Sequence, residues 1–143
     1  EGVKFIGYLK KLKCLGLRKT QLTDRGMEYI GQLENLEELN ISDTQVTDEG
    51  LKHLRNLKKL EELVLMYNNI TDKGIEYIKD LPLRVLYLTG TKVSDKSVPL
   101  LENMKTLEEL VIDETKISTA GAKRLEEKIN IVRYSEDDFS YDK

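Results

Sequence analysis

The chain has 143 residues, 39% apolar and 34% charged, which suffices for one domain with its own core beneath a densely charged surface. Its net charge of -3 and pI near 5.4 leave no basic field to neutralise phosphates, so nucleic acid is not an expected partner. No apolar run approaches the roughly 20 residues that cross a bilayer, and no signal-peptide pattern opens the segment, so a membrane is not expected either.

Taken in chain order, the sequence repeats itself. Gly2-Val-Lys-Phe-Ile-Gly-Tyr-Leu9 lines up with Gly26-Met-Glu-Tyr-Ile-Gly-Gln-Leu33 and reads as a half repeat over 1–11. Then comes Leu12-Lys-Cys-Leu15-Gly-Leu17-Arg-Lys-Thr20, followed by Leu36-Glu-Glu-Leu39-Asn-Ile41-Ser-Asp-Thr44 and Leu60-Glu-Glu-Leu63-Val-Leu65-Met-Tyr-Asn68. Leu83-Arg-Val-Leu86-Tyr-Leu88-Thr-Gly-Thr91 and Leu107-Glu-Glu-Leu110-Val-Ile112-Asp-Glu-Thr115 complete about five copies, spaced by 24, 24, 23 and 24 residues. A looser strand-like copy fits 129–134, and 135–143 is an acidic tail that either folds back through Phe139 and Tyr141 or stays disordered. The opening Glu1, in place of Met, suggests a fragment or a processed product.

Within a copy, Leu15 and Leu17 alternate with Cys14, Gly16 and Arg18, the period of a strand with one buried face. An apolar anchor follows in the turn (Leu22, Val46, Ile70, Val93, Ile117). Thr23-Asp24, Thr47-Asp48, Thr71-Asp72 and Ser94-Asp95 then offer oxygens suited to capping a helix start. Met27, Ile30 and Leu33, like Leu51, Leu54 and Leu57, recur at helical spacing. One such unit cannot bury its own face, whereas stacked units share a core. The predicted fold is therefore an α/β solenoid with a parallel sheet and short outer helices.

The pattern Leu-x-x-Leu-x-Leu-x-x-Thr-x-Val/Ile-Thr-Asp-x-Gly-Leu/Ile resembles the leucine-rich-repeat family, in its Thr-Asp-x-Gly bacterial variety, related to the ribonuclease-inhibitor-like group. The resemblance spans 2–134 and implies a right-handed α/β horseshoe arc whose concave sheet binds other proteins. Where the family often has Asn or Cys, this chain has Thr20, Thr44, Thr91 and Thr115, and only Asn68 keeps the amide. A thinner ladder of turn hydrogen bonds is expected from the threonines. Ser97 in place of the repeat glycine, and Thr119 in place of the aspartate, read as drift towards a capping copy. Pro82 suits a tight outer turn in the one copy that is a residue short.

Aligned strand positions form stripes on a face about 24 Å across. Its middle is apolar and aromatic, with Val64, Met66, Tyr67, Val85, Tyr87 and Val111, and such exposed clusters mark interaction sites. Arg18, Glu38, Glu62, Asp113 and Arg133 supply a polar rim, basic at the first copy and acidic towards the far end. Glu38 and Glu62 are expected side by side, repelling by about 1 kcal/mol, which a basic partner would relieve.

Catalytic chemistry is not expected. His53 is the only histidine and falls among Tyr29, Tyr77 and Leu100 on the outer helices, which excludes a His-rich metal site and a His-bridged triad with a second histidine. Cys14 lies on the concave face, where Lys13 and Arg18 could lower its pKa, but no histidine is near it in the repeat register and a reactive role is not expected. It cannot form an internal disulfide, which favours an intracellular, cytoplasmic setting, with a secreted effector as the alternative. The Glu-Glu pairs at Glu37, Glu61 and Glu108 recur with the repeat and so belong to the template. No phosphate loop is present. The reading is a non-enzymatic protein–protein interaction module with a protein or peptide partner, no cofactor and no small-molecule substrate. It is a monomer unless the N-terminal sheet edge pairs. The alternatives are a regulatory or substrate-recognition domain of a larger enzyme (a ligase or kinase) and an enzyme inhibitor.

Overall fold

The computed structural model describes residues 2–134, and the acidic segment 135–143, with both readings of it, lies outside the described residues. Helix α1 (Val3–Ile6) precedes strand β1 (Cys14–Gly16) and helix α2 (Asp24–Ile30). Then follow β2 (Glu38–Asn40), α3 (Asp48–Leu51, continued as a 3-10 turn over Lys52–Leu54), β3 (Glu62–Val64) and α4 (Asp72–Ile78). The chain continues through β4 (Val85–Tyr87), a 3-10 turn at Asp95–Ser97, α5 (Val98–Glu102), β5 (Glu109–Val111), α6 (Thr119–Glu126) and β6 (Ile131–Arg133). The six strands form one parallel sheet in sequence order. Equivalent template positions pair without slippage: Leu15 with Leu39, Leu39 with Leu63, Leu63 with Leu86, Leu86 with Leu110 and Leu110 with Val132.

The core lies between this sheet and the helices. Strand residues Leu39, Leu63, Leu86 and Leu110 are at most 1% exposed. The turn anchors Val46, Ile70, Val93 and Ile117, and the helix residues Met27, Ile30, Leu33, Leu51, Leu54 and Leu57, are fully buried with them. Each copy thus contributes one slice of a continuous apolar column, and burying one such side chain contributes about 1.5–3 kcal/mol. At the N-terminal end the column is less covered. Leu12, Leu15 and Leu17 are half-buried, and Val3, Ile6, Leu17, Leu22 and Tyr29 help to line an open groove of about 620 Å³.

The turn after each of the strands β1 to β5 carries one residue in the left-handed region: Lys19, Asp43, Tyr67, Gly90 and Glu114. At four of these the N–H donates to the next copy, from Lys19 to Ser42, Asp43 to Met66, Tyr67 to Thr89 and Gly90 to Asp113. The residue that follows is the Thr or Asn of the template. Each threonine hydroxyl donates within its own copy, Thr20 to Leu17 O, Thr44 to Ile41 O, Thr91 to Leu88 O and Thr115 to Ile112 O, at 2.7–2.9 Å. Asn68 reaches the preceding copy as well: its Nδ2 donates to Ile41 O, and its Oδ1 accepts from Thr44 N, both at 2.8 Å. The threonine ladder is the thinner one, as expected.

The Thr-Asp pairs do more than cap helices. Thr71, Ser94 and Ser118 accept from backbone N–H groups at the starts of their own helices, while Thr23 and Thr47 make no such bond. The aspartates do not cap at all, which corrects the capping role expected of them. Each reaches forward and accepts both the N–H and the hydroxyl of the next copy: Asp24 from Thr47, Asp48 from Thr71, Asp72 from Ser94 and Asp95 from Ser118. A carboxylate has enough lone pairs for both donors, and a short side chain at the start of a helix lies within reach of the next turn. Ser97 is likewise not drift. It is fully buried, and its hydroxyl donates to Asp72.

A candidate recognition face

The strands present every second side chain away from the core, and the register sets these side chains in rows. One row runs Cys14, Glu38, Glu62, Val85, Glu109, Ile131, and the next runs Gly16, Asn40, Val64, Tyr87, Val111, Arg133. Of the apolar residues expected at the centre, Met66, Val85 and Tyr87 are half-buried and Tyr67 is 48% exposed. Val64 and Val111 are not open surface as expected. They are 8% and 9% exposed, with the larger Tyr87 standing between them in the register. Ser42 and Thr89, also outward by alternation, are buried, and Ser42 Oγ accepts from Met66 N. Ile131, 44% exposed on β6, extends the apolar surface beyond the central cluster named from the sequence.

Tyr87 is fixed by its hydroxyl, which donates to Glu109 Oε1 at 3.2 Å, while Arg133 pairs with the same carboxylate at 3.3 Å. Burial, then the bond to Glu109, pushes the Tyr87 phenol above its ordinary pKa, so it stays a neutral donor. The Tyr67 ring packs against Gly90, and its hydroxyl meets Glu114 at 3.4 Å. The negative charge of Glu114 is the main cause of its raised pKa.

Glu38 and Glu62 face each other in register on neighbouring strands, as expected. Burial first, and then the charges of Glu38 and Glu109, push the Glu62 carboxyl above its ordinary range. Cys14 runs against expectation. Lys13 and Arg18 do not lower its pKa, because its hydrogen bond to Glu38 and the surrounding glutamates raise it. A thiol held protonated is a poor nucleophile.

The rim residues do not converge. Arg18 follows β1, Asp113 follows β5 and Arg133 ends β6, so they border the face from opposite ends. On the outer side, His53 sits half-buried in the 3-10 turn, and Arg55 stacks 4.7 Å from the centre of the Tyr77 ring. Among the described residues, no group of three or more His, Cys, Asp or Glu is placed to hold a metal ion, and no helix is long and apolar enough to cross a membrane.

A solenoid of stacked strand–turn–helix units with a parallel sheet defines the class of protein. The comparisons give its family: a leucine-rich-repeat model of two copies matches residues 34–81, and a single-repeat model matches residues 8–31. The chain belongs to the leucine-rich-repeat family. Its fold is similar to that of an internalin from Listeria monocytogenes, with a TM-score of 0.70 and 20% identity over 96% of this chain and 47% of the internalin. It is also similar to a leucine-rich-repeat protein of Leptospira interrogans, with a TM-score of 0.61 and 27% identity over 92% of this chain and 33% of that one. The chain therefore spans about half and one third of the lengths of these two structures. No curated protein matches it. Leucine-rich-repeat proteins are generally protein-interaction modules and typically non-enzymatic.

Proposed function

We propose that this chain is a protein-recognition module that holds a partner protein or peptide on the concave face of its sheet. The observation that carries this reading is the band of Met66, Val85 and Tyr87, with the exposed Tyr67 and Ile131, on an otherwise charged surface. Tyrosine and methionine anchor interfaces because they bring large contact area at low conformational cost. The rows are rigid, since each outward side chain stands on a strand hydrogen-bonded on one or both sides, so little ordering is needed on binding. Arg18, Glu38, Glu62, Asp113 and Arg133 form the polar rim, and Val64 and Val111 flank Tyr87 in its row. A regulatory domain of a larger enzyme, or an enzyme inhibitor, would use the same face and differ in the partner.

The test compares capture from a lysate of the source cells by the native chain and by a Met66→Lys, Tyr87→Lys variant whose circular dichroism is unchanged. A protein held by the native chain and lost from the variant supports the reading. Equal capture by both places binding elsewhere and ends it.

A second reading has its own observation. The β1 edge and the apolar groove beside it favour pairing with a further parallel strand, whether from more chain or from a second copy. Light scattering across a concentration series distinguishes these: dimers that grow with concentration support the second copy.

A further inference from the structure

We propose that the partner inserts a basic side chain, lysine or arginine, between Glu38 and Glu62, with an apolar neighbour seated on Val85 and Tyr87. This rests on the concave-face reading above and specifies the chemistry of the occupant.

The charges on this sheet are settled unevenly. Arg84 pairs with Glu108 at 3.0 Å and with Glu61 at 3.5 Å, and Arg133 pairs with Glu109 at 3.3 Å. Glu38 and Glu62, directly opposed on β2 and β3, have no cation within salt-bridge distance among the described residues. Two carboxylates borne on strands about 4.8 Å apart repel each other, and among the described residues the Cys14 thiol hydrogen-bonded to Glu38 answers that repulsion without supplying a positive charge.

The acid pair alone would say little, since exposed glutamates are ordinarily solvated. The surface beside it decides the matter. Val85 follows Glu62 in the same row on the adjacent strand, and Tyr87 lies one outward position further along β4. Glu62 is itself half-buried. Any partner that covers the Val85–Tyr87 shelf therefore strips water from the Glu62 carboxylate. A wholly apolar partner would leave that charge buried and unpaired, and an acidic one would add a third negative charge; both are costly. A lysine or arginine satisfies the surface as it stands. Its methylene stem lies along Val85 while its head reaches the two carboxylates, and a guanidinium can engage both with parallel hydrogen bonds.

The experiment selects a phage-displayed random peptide library on the native chain and measures the winning synthetic peptide by fluorescence anisotropy. The expected winner carries Lys or Arg beside an apolar or aromatic residue. Its affinity falls at least about tenfold for a Glu38→Gln, Glu62→Gln variant, as for other close interfacial charge pairs. Replacing its basic residue by norleucine weakens binding to the native chain and costs nothing further in the double glutamine variant. Binding is also lost in Val85→Arg, which blocks the shelf. A winner that Val85→Arg abolishes, but that has no basic residue or ignores the glutamine pair, overturns this inference and leaves the concave-face reading standing. A winner indifferent to Val85→Arg, or no enrichment at all, overturns both. Circular dichroism confirms that each variant is folded.

Discussion

Ser97 donates a 2.6 Å hydrogen bond from its hydroxyl to Oδ1 of Asp72, one copy earlier in the chain. Four other copies have glycine at this position, and in the three that follow an aspartate-bearing copy a Cβ would stand 2.4–2.5 Å from the corresponding oxygen: Gly50 against Asp24, Gly74 against Asp48 and Gly121 against Asp95. The glycine exists so that the aspartate can pass. Where the fourth copy has serine, the helix opens as a 3-10 turn over Asp95–Ser97, and the side chain becomes a donor instead of an obstacle. Ser97→Gly should therefore destabilise by about 1 kcal/mol through the lost hydrogen bond. Gly74→Ala should destabilise by about 1–3 kcal/mol, since its Cβ would also crowd Ile70 and Leu51. Urea unfolding of the two variants checks the pair. A tolerated Gly74→Ala would mean that Asp48 is free to move.

The forward-reaching aspartates predict a second outcome. Asp48 accepts from Thr71 N at 2.8 Å and from Thr71 Oγ1 at 2.6 Å, in a half-buried position between copies. Asp48→Ala removes both acceptors and leaves the Thr71 N–H to find water. A loss of about 2–3 kcal/mol follows if the bonds act as charge-assisted ones. Hydrogen exchange adds a sharper readout. Protection should fall at Thr71 and its neighbours, and much less at Thr47, whose own aspartate is intact.

Much of the fold was legible because its signals are periodic. The strand alternation, the turn anchors and the helix stripes each recur in every copy, and the register of the sheet follows from aligning them. The left-handed turn residues were not legible: Lys19, Asp43, Tyr67, Gly90 and Glu114 share no side-chain chemistry. What holds the first four is the hydrogen bond from their backbone to the next copy, which no residue type encodes. The sequence points the aspartates to capping because Thr-Asp suits a helix start. That the oxygens face the next copy depends on how copies stack. On the outward face of the sheet, alternation gives the correct side to Val64, Val111, Ser42 and Thr89. Their coverage depends on the size of the neighbours across the strands, which a single repeat does not reveal.

The titration of the fold has two opposing parts. For Asp72, burial alone would raise the pKa, but hydrogen bonds from Ser94 and Ser97 outweigh it and hold the carboxyl below its ordinary value. A depressed acid stabilises the fold above its unfolded pKa, and that contribution is lost as pH falls through the folded value, below about pH 4. Glu62 is shifted the other way, above 4.5. Its ionised form opposes folding at neutral pH, and the cost vanishes once pH drops below its unfolded value. Glu62→Gln should accordingly raise Tm at pH 7, by no more than the equivalent of roughly 1 kcal/mol given solvent screening, and leave it unchanged near pH 4. Thermal melts of the native chain and Glu62→Gln at both pH values suffice. A gain that persists at pH 4 would trace the effect to packing.

Tyr67 and Gly90 form the last test. Tyr67 has φ near 57° and Gly90 has φ near 70°, so two successive copies place their left-handed residues in contact, with the ring of one covering the backbone of the other. A Cβ on Gly90 would stand 2.3 Å from the Tyr67 ring and would also sit in a backbone region that L-residues disfavour by about 1–2 kcal/mol. Gly90→Ala should thus cost more than 1 kcal/mol and swing the tyrosine off its bed. Its contact with Glu114 would then be lost, and the raised phenol pKa should move back towards 10. Absorbance titration of Tyr67 against a Tyr67→Phe control measures that movement. If Gly90→Ala lowers stability while the phenol keeps its shift, the ring has stayed in place and the cost is backbone strain alone.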